Sequence, residues 1–223
     1  MNFDFPYVLE VIPAIMKYVP LTLFTSILAM AVAILIGILL AVLKESKKAV
    51  LRGFTSIYLS FFRSVPTLVL LFIIYYGLPQ LFPSLTAMEA VTAAIIGLGI
   101  KQAAFLAEIF RAAIISVNKG QLEAGLSVGM SKLQTAYRII LPQAAENALP
   151  GTGNTFISLI KETSLAFSLG VTELFAEAKM MASSSYKFLE SYLAVALVYW
   201  VLIIIYSYLQ RVLEEKLSKP YRT

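Results

Sequence analysis

The 223-residue chain contains no cysteine and no histidine. With neither thiol nor imidazole it lacks a disulfide framework, a cysteine nucleophile and the ligands most zinc sites use. Charge is scarce too: charged residues make up 14% of the chain against 59% hydrophobic, and mean hydropathy is +0.82. A soluble domain carries about a quarter charged residues, so the composition excludes one and implies an integral membrane protein. The net charge of +5 does not point to nucleic acid, because Lys and Arg are spread among loops and not gathered on one surface. Also missing is a basic leader: Met1-Asn2-Phe3-Asp4-Phe5 carries an acid where a cleavable signal would carry Lys or Arg. The first apolar run is therefore expected to span and not to be removed.

Long charge-poor runs are what the chain does contain. Residues 19–43 hold no charge and are long enough to cross a hydrocarbon core of about 30 Å. Further spans are expected over 53–78, broken at Arg63-Ser64-Val65-Pro66, over 89–115, over 147–172 and over 191–210, five in all. Pro79 and Pro83 mark an outer turn. Segment 44–52 carries four Lys/Arg, segment 116–146 three and the tail from Arg211 four, whereas Lys17, Lys179 and Lys187 fall on the other side. The positive-inside bias then places the N-terminus outside and the C-terminus in the cytosol. The aromatics of the fifth run read as interfacial belt and packing.

Between the third and fourth spans lies a polar, glycine-punctuated segment, 116–146. Residues 121–128 can form a short helix that Gly129 ends in a left-handed conformation. Ser131 followed by Gln134 reads as a capping box opening a second helix, expected to stop at Pro142. Helices of about ten residues are marginal alone, so this pair needs packing against its own spans and a partner.

Arg63, Lys101, Glu108, Lys161 and Glu162 lie within apolar runs, where each costs about 2.5–3.5 kcal/mol at a helix centre and so is expected to face a partner or a wet cavity. Lys101 lies twelve residues beyond Glu89, about 18 Å along a helix. Glu108 is seven residues further on the same face, and Lys161 and Glu162 reach a similar depth past Pro150. A free amino acid presents an ammonium and a carboxylate. Glu162, Lys101 or Lys161, Thr163 and Ser164 supply the acid, base and hydroxyls such a ligand needs. The same residues also fit a structural ion-pair network, and Glu108 with Arg111, three residues on, fits that reading best. Arg63 can line a pathway or satisfy carbonyls freed at the proline break.

Glu123-Ala124-Gly125 followed four residues later by Gly129, with Ile139-Ile140-Leu141-Pro142 beyond, resembles the EAA loop of bacterial ABC-importer permeases. Phe62-Arg63-Ser64-Val65-Pro66-Thr67-Leu68-Val69, Tyr75-Tyr76-Gly77-Leu78-Pro79, Ala107-Glu108-Ile109-Phe110-Arg111-Ala112 and Leu159-Ile160-Lys161-Glu162-Thr163-Ser164-Leu165 are similar to the polar amino-acid subfamily, and the likeness covers essentially the whole chain. Gly125 departs from the family's usual Ala. The resemblance implies an all-α, polytopic, type I importer permease forming one transmembrane domain, 1–223, in a bacterial cytoplasmic membrane. It implies that Gln121, Glu123, Ala124, Gly125, Gly129, Met130 and Ser131 form the surface that docks on an ATPase, and that substrate contacts lie near Glu162, Lys161, Thr163 and Ser164, with Lys101, Arg63 and Thr67 completing the site. A cytosolic ATPase dimer using ATP and Mg, an extracellular binding protein, a second permease copy and surrounding lipid are the implied partners; no cofactor is expected on this chain. Among cargoes L-cystine or a related sulfur amino acid is the nearest branch, with glutamine, glutamate, arginine or histidine as alternatives.

The chain carries no Gly-x-x-x-x-Gly-Lys-Ser/Thr loop, because Gly151-Thr152-Gly153-Asn154 lacks the lysine and the spacing. It is expected not to hydrolyse ATP. An intramembrane Ser/Lys enzyme would leave the polar segment unexplained, and an ion-driven transporter would be expected to show internal repeats, of which none is evident.

Overall fold

The computed structural model describes residues 3–218, and among these every regular element is helical. Lys219 and Arg222, counted above in the basic tail, lie outside the described residues, as do Met1 and Asn2. Helix α1, Phe5–Met16, opens where the Asp4 carboxylate accepts the Tyr7 amide at 3.1 Å. It was not foreseen. Its Val8, Val11 and Ile15, one helical face, are buried against Leu174, Ala178, Ala194 and Val195.

Helices α2, Val19–Lys44, and α6, Ala90–Ser116, form the central pair and pack along much of their lengths. Their interface is built from small side chains, Ala29, Ala33, Ala93, Ala94, Ala103 and Ala107, all buried. Small residues let backbones approach closely where lipid supplies no hydrophobic drive for association.

The second expected span is not one straight helix. Helix α3, Ala49–Ser64, and the helical stretch Thr67–Leu81 meet at an angle of 109°. Proline disfavours helical dihedrals in the residue before it, and Val65 is extended, with ψ of 131°. That stretch comprises α4, Thr67–Phe72, a π turn over Ile73–Gly77 and α5, Leu78–Leu81; a 3-10 turn, Pro83–Ala87, then leads to α6. Tyr58 on α3 donates its hydroxyl to the Ile100 carbonyl at 2.6 Å, tying α3 to α6.

In the polar segment 116–146, α7 covers Gly120–Ser127 and α8 covers Lys132–Thr135. Pro142 does not end the second helix as expected. A π turn, Ala136–Ile140, joins α8 directly to α9, Leu141–Glu162, with Pro142 in the first turn of α9. The π turn replaces the ordinary register there, with the Leu141 amide donating to the Ala136 carbonyl, so the helix runs on through Pro142, and Gln143 Nε2 donates to the Ile139 carbonyl at 2.9 Å. Pro150 is likewise absorbed inside α9. The fourth expected span, 147–172, therefore begins six residues earlier and gives way at Thr163 to a 3-10 turn, Thr163–Leu169. Helix α10, Leu174–Ser185, also unforeseen, precedes the long α11, Phe188–Ser218.

Three described helices, α2, α6 and α11, are long and apolar enough to cross a membrane alone, and the bent α3–α4 stretch makes a fourth if counted as one span. Helix α9 falls short by composition. Its 22 residues include Glu146, Asn147, Asn154, Lys161 and Glu162, and that polarity builds the site.

Candidate substrate cleft and coupling surface

Along α9, Gly151, Asn154, Thr155, Ser158 and Glu162 recur every three or four residues and so share one face. Along α6, Gln102, Phe105 and Glu108 do the same. The two faces enclose a cleft of about 450 Å³, closed on a third side by Arg63 of α3. It is open, and its wall is mixed polar and aromatic.

Glu162 is held in place on this wall. Gln102 Nε2 donates to Oε1 at 3.2 Å, and Thr67 Oγ1 lies 3.4 Å from Oε2. These donors come from α6 and α4, so three elements converge on one carboxylate. The Arg63 guanidinium lies 5.7 Å from the Phe105 ring centroid, a cation–π distance, and the arginine is exposed to the cleft. The cleft thus displays both a carboxylate and a guanidinium, the two charges a zwitterion would meet.

The structure separates the remaining expected site residues. Lys101 is buried and donates Nζ to the Val65 carbonyl at 3.0 Å. It satisfies the carbonyl at the proline break, a task the sequence left open for Arg63. Thr163 is buried and donates Oγ1 to the Ile160 carbonyl, and Ser164 Oγ donates to that of Lys161; neither lines the cleft. Lys161 is exposed on the flank of α9 and also does not line it. Glu108 receives Arg111 Nε and Nη2 at 3.0 and 2.8 Å on a single oxygen, the expected pair. Gln102, Phe105, Asn154 and Ser158 were not foreseen. The three-to-four-residue polar recurrence along α9 is the signal that could have found Asn154 and Ser158.

In the polar segment, α7 closes with a Schellman motif. Gly129, with φ of 83°, donates its amide to the Leu126 carbonyl, and Met130 donates to that of Gly125. The capping box forms as expected: Gln134 N–H donates to Ser131 Oγ at 3.2 Å and Ser131 N–H to Gln134 Oε1 at 2.9 Å. Glu123 and Ala124 are exposed and Gln121 half-buried. Gly125 is not on this surface; it is buried against Thr135 of α8. Val128, Leu133 and Tyr137 are 76, 77 and 74% exposed around the motif, an apolar patch on a polar segment.

The pattern of binding-protein-dependent transport system inner membrane components matches residues 33–219. The chain belongs to that family. Within it, this inner membrane component is 60% identical over 220 residues to the probable amino-acid permease protein YxeN of Bacillus subtilis, covering 99% of this chain and 98% of that one. The L-cystine transport system permease protein TcyL of Bacillus subtilis is 36% identical over 97% of this chain and 92% of its own length. The glutamine transport system permease protein GlnP of Escherichia coli is 32% identical, covering 98% and 99%. A solved structure of an amino acid ABC transporter superposes with a TM-score of 0.87 at 33% identity, covering 97% of this chain and 100% of that one. The inner membrane component is thus an amino-acid ABC permease subunit with the type I importer fold, and such subunits are not themselves enzymes.

Proposed function

We propose that this chain forms the translocation path for a polar amino acid, with the cleft between α6 and α9 as its intramembrane binding site. The observation that carries this reading is Glu162, a carboxylate held by Gln102 and Thr67 on the wall of an open cleft that also displays Arg63. The carboxylate suits an α-ammonium and the guanidinium an α-carboxylate. A second copy supplies the facing wall. Lys161 and Asn154 are exposed on α9, and polar side chains at membrane depth face a partner or a wet cavity, not lipid.

Glu123, Ala124 and the Val128, Leu133 and Tyr137 patch receive the cytosolic ATPase dimer, whose closure moves α6 and α9 through the intervening segment. An extracellular binding protein delivers the cargo, and the N-terminus lies outside. L-cystine is the first cargo to try, because relatives named for L-cystine span nearly the whole chain; glutamine is the alternative that another relative supports.

The test is reconstitution with the ATPase and binding protein encoded with it, using labelled L-cystine, L-glutamine, L-glutamate, L-arginine and L-histidine. Uptake of one of these should require ATP and the binding protein, and E162Q should lower it about tenfold or more while the complex still assembles. Uptake that persists without the ATPase overturns the importer reading. Wild-type uptake by E162Q overturns the site.

A further inference from the structure

Helix α3 has three faces. On one, Thr55 is buried and Leu59, with Tyr58 and Phe62, packs against Leu40 of α2 and Ala103, Ala104 and Ala107 of α6. On the second, Val50, Phe54, Ile57 and Phe61 recur every three or four residues as an exposed apolar stripe suited to lipid. The third carries Arg52, Ser56, Ser60 and Arg63, at the same spacing and all exposed. Polar side chains at membrane depth turn to a partner or a wet cavity. Because the apolar stripe already serves the lipid, the serine face is turned elsewhere.

One end of this face is the cleft, which Arg63 lines. At the other, Lys44 Nζ donates to Ser56 Oγ at 2.6 Å, and Arg52 Nη1 donates to the Ser46 and Lys47 carbonyls at 3.0 Å, bracing the loop that enters α3. Helix packing fixes where that end lies. Gly37 of α2 sits against Ala103 and Leu106 of α6, and Gly99 of α6 against Ala29 and Val32 of α2. The two helices therefore run parallel, and Lys44 lies at the same end of the molecule as Ser116 and the polar segment that holds α7 and α8. From Arg63 to Arg52 the face is about 16 Å long at 1.5 Å per residue. It bears cations at both ends, hydroxyls between them and no carboxylate.

We propose that the serine face of α3 lines the water-filled path by which the cargo leaves the cleft, its carboxylate passing from Arg63 over Ser60 and Ser56 to Lys44. Cations at both ends draw an anionic group along the path. The hydroxyls between them donate to a carboxylate more weakly than a guanidinium does, so they pass it on without trapping it. What moves along the path rests on the reading of the cleft as the cargo's site; the wetness of the face does not, and the two are tested separately.

The absence of native cysteine makes single thiols clean reporters. A thiol reacts as its thiolate, which water permits and lipid suppresses. The permease–ATPase complex is placed in proteoliposomes with a permanently charged methanethiosulfonate on both sides of the membrane. S56C and S60C should then react about tenfold faster, or more, than F54C and I57C. S60L should lower uptake of the labelled amino acid that wild type carries about tenfold, the loss of one hydrogen bond to a charged group, with assembly intact. I57L should transport as wild type does. Serine positions that react no faster than the apolar ones overturn the proposal. So do S60C thiols that resist the reagent but oxidise to a disulfide between two copies, which gives the face to the permease dimer. Wild-type uptake by S60L overturns the path even where the thiols react, and where S60L does not assemble the labelling rates decide. If the thiols react and S60L stalls while E162Q transports as wild type does, the cleft fails as the binding site and the path along α3 stands.

Discussion

Gly125 of α7 lies directly under Thr135 of α8: a Cβ at position 125 would fall 2.6 Å from Thr135 Oγ1 and 3.0 Å from its Cβ. Thr135 is buried and fixed, its hydroxyl donating to the Ser131 carbonyl at 3.0 Å. The departure from the alanine usual at this point of the EAA motif thus sets how closely α7 and α8 approach. G125A should force them apart at about 1–3 kcal/mol and lower ATPase co-purification. T135A removes Thr135 Cγ2 and Oγ1, the two atoms nearest that Cβ, so the double variant should recover most of the loss. Thermal unfolding of the four proteins of this cycle measures the coupling, and strict additivity would refute the packing.

Gly129 has open space around it, so volume is not its constraint. Its φ of 83° is, because a left-handed conformation costs an L residue about 1–2 kcal/mol. G129V should leave the protein in the membrane yet weaken ATPase association or coupling, whereas G129N, which tolerates this conformation better, should stay close to wild type. Equal behaviour of the two in a pull-down with the ATPase would show that side-chain bulk matters and backbone strain does not.

Lys101 and Glu162 reach similar depth but do different work. Removing the ammonium in K101M leaves the Val65 carbonyl without its donor, at about 1–3 kcal/mol. The expected result is a lower melting temperature of the assembled transporter whether or not amino acid is present. A variant with unchanged melting but lost amino-acid binding would return Lys101 to the substrate site.

The contact between Asp4 and Lys187, at 2.7 Å and outside the membrane-spanning helices, fastens α1 to the start of α11. The lysine's hydrogen bond pushes the Asp4 carboxyl below its ordinary value of 3.8, and the same bond raises Lys187 above 10.5. The depressed acid contributes above its unfolded value and is lost as pH falls through the folded one; the raised base contributes below 10.5 and is lost as pH rises past it. Protection of α1 amides from hydrogen exchange should therefore be flat between about pH 5 and 9 and decline outside that window. In D4N it should be lower at neutral pH and lose the acidic step. An acidic step that survives in D4N would assign it to another group.

The long apolar helices were legible because lipid demands uninterrupted apolar length, and 19–43, 89–115 and 191–210 match α2, α6 and α11 within a few residues at most ends. The capping box at Ser131 and the left-handed Gly129 were legible because local hydrogen bonding decides them. Pro142 misled because its effect depends on what precedes it: a π turn shifts the hydrogen-bond register just before it, and the helix runs on through the proline. Helices α1 and α10 are short and stable only through mutual burial, which no local pattern announces. Of the residues named for the site, Glu162 and Arg63 line the cleft and Thr67 lies 3.4 Å from the Glu162 carboxylate. Thr163 and Ser164 were named as hydroxyls for a ligand and through the family resemblance, but they open a 3-10 turn in which each hydroxyl donates to a nearby backbone carbonyl, and neither lines the cleft.

The sequence by itself determined that the chain lives in a membrane and which runs form its long apolar helices, because both are set by residue type and local spacing. Only the tertiary structure decided the partners of the charged groups. Lys101 turns to a backbone carbonyl, Glu162 to Gln102 and Thr67, and Glu173 to Tyr199, across separations of 36, 60, 95 and 26 residues. A buried charge takes whichever donor or acceptor folding brings within reach, and that is a property of how helices pack, not of any stretch of chain.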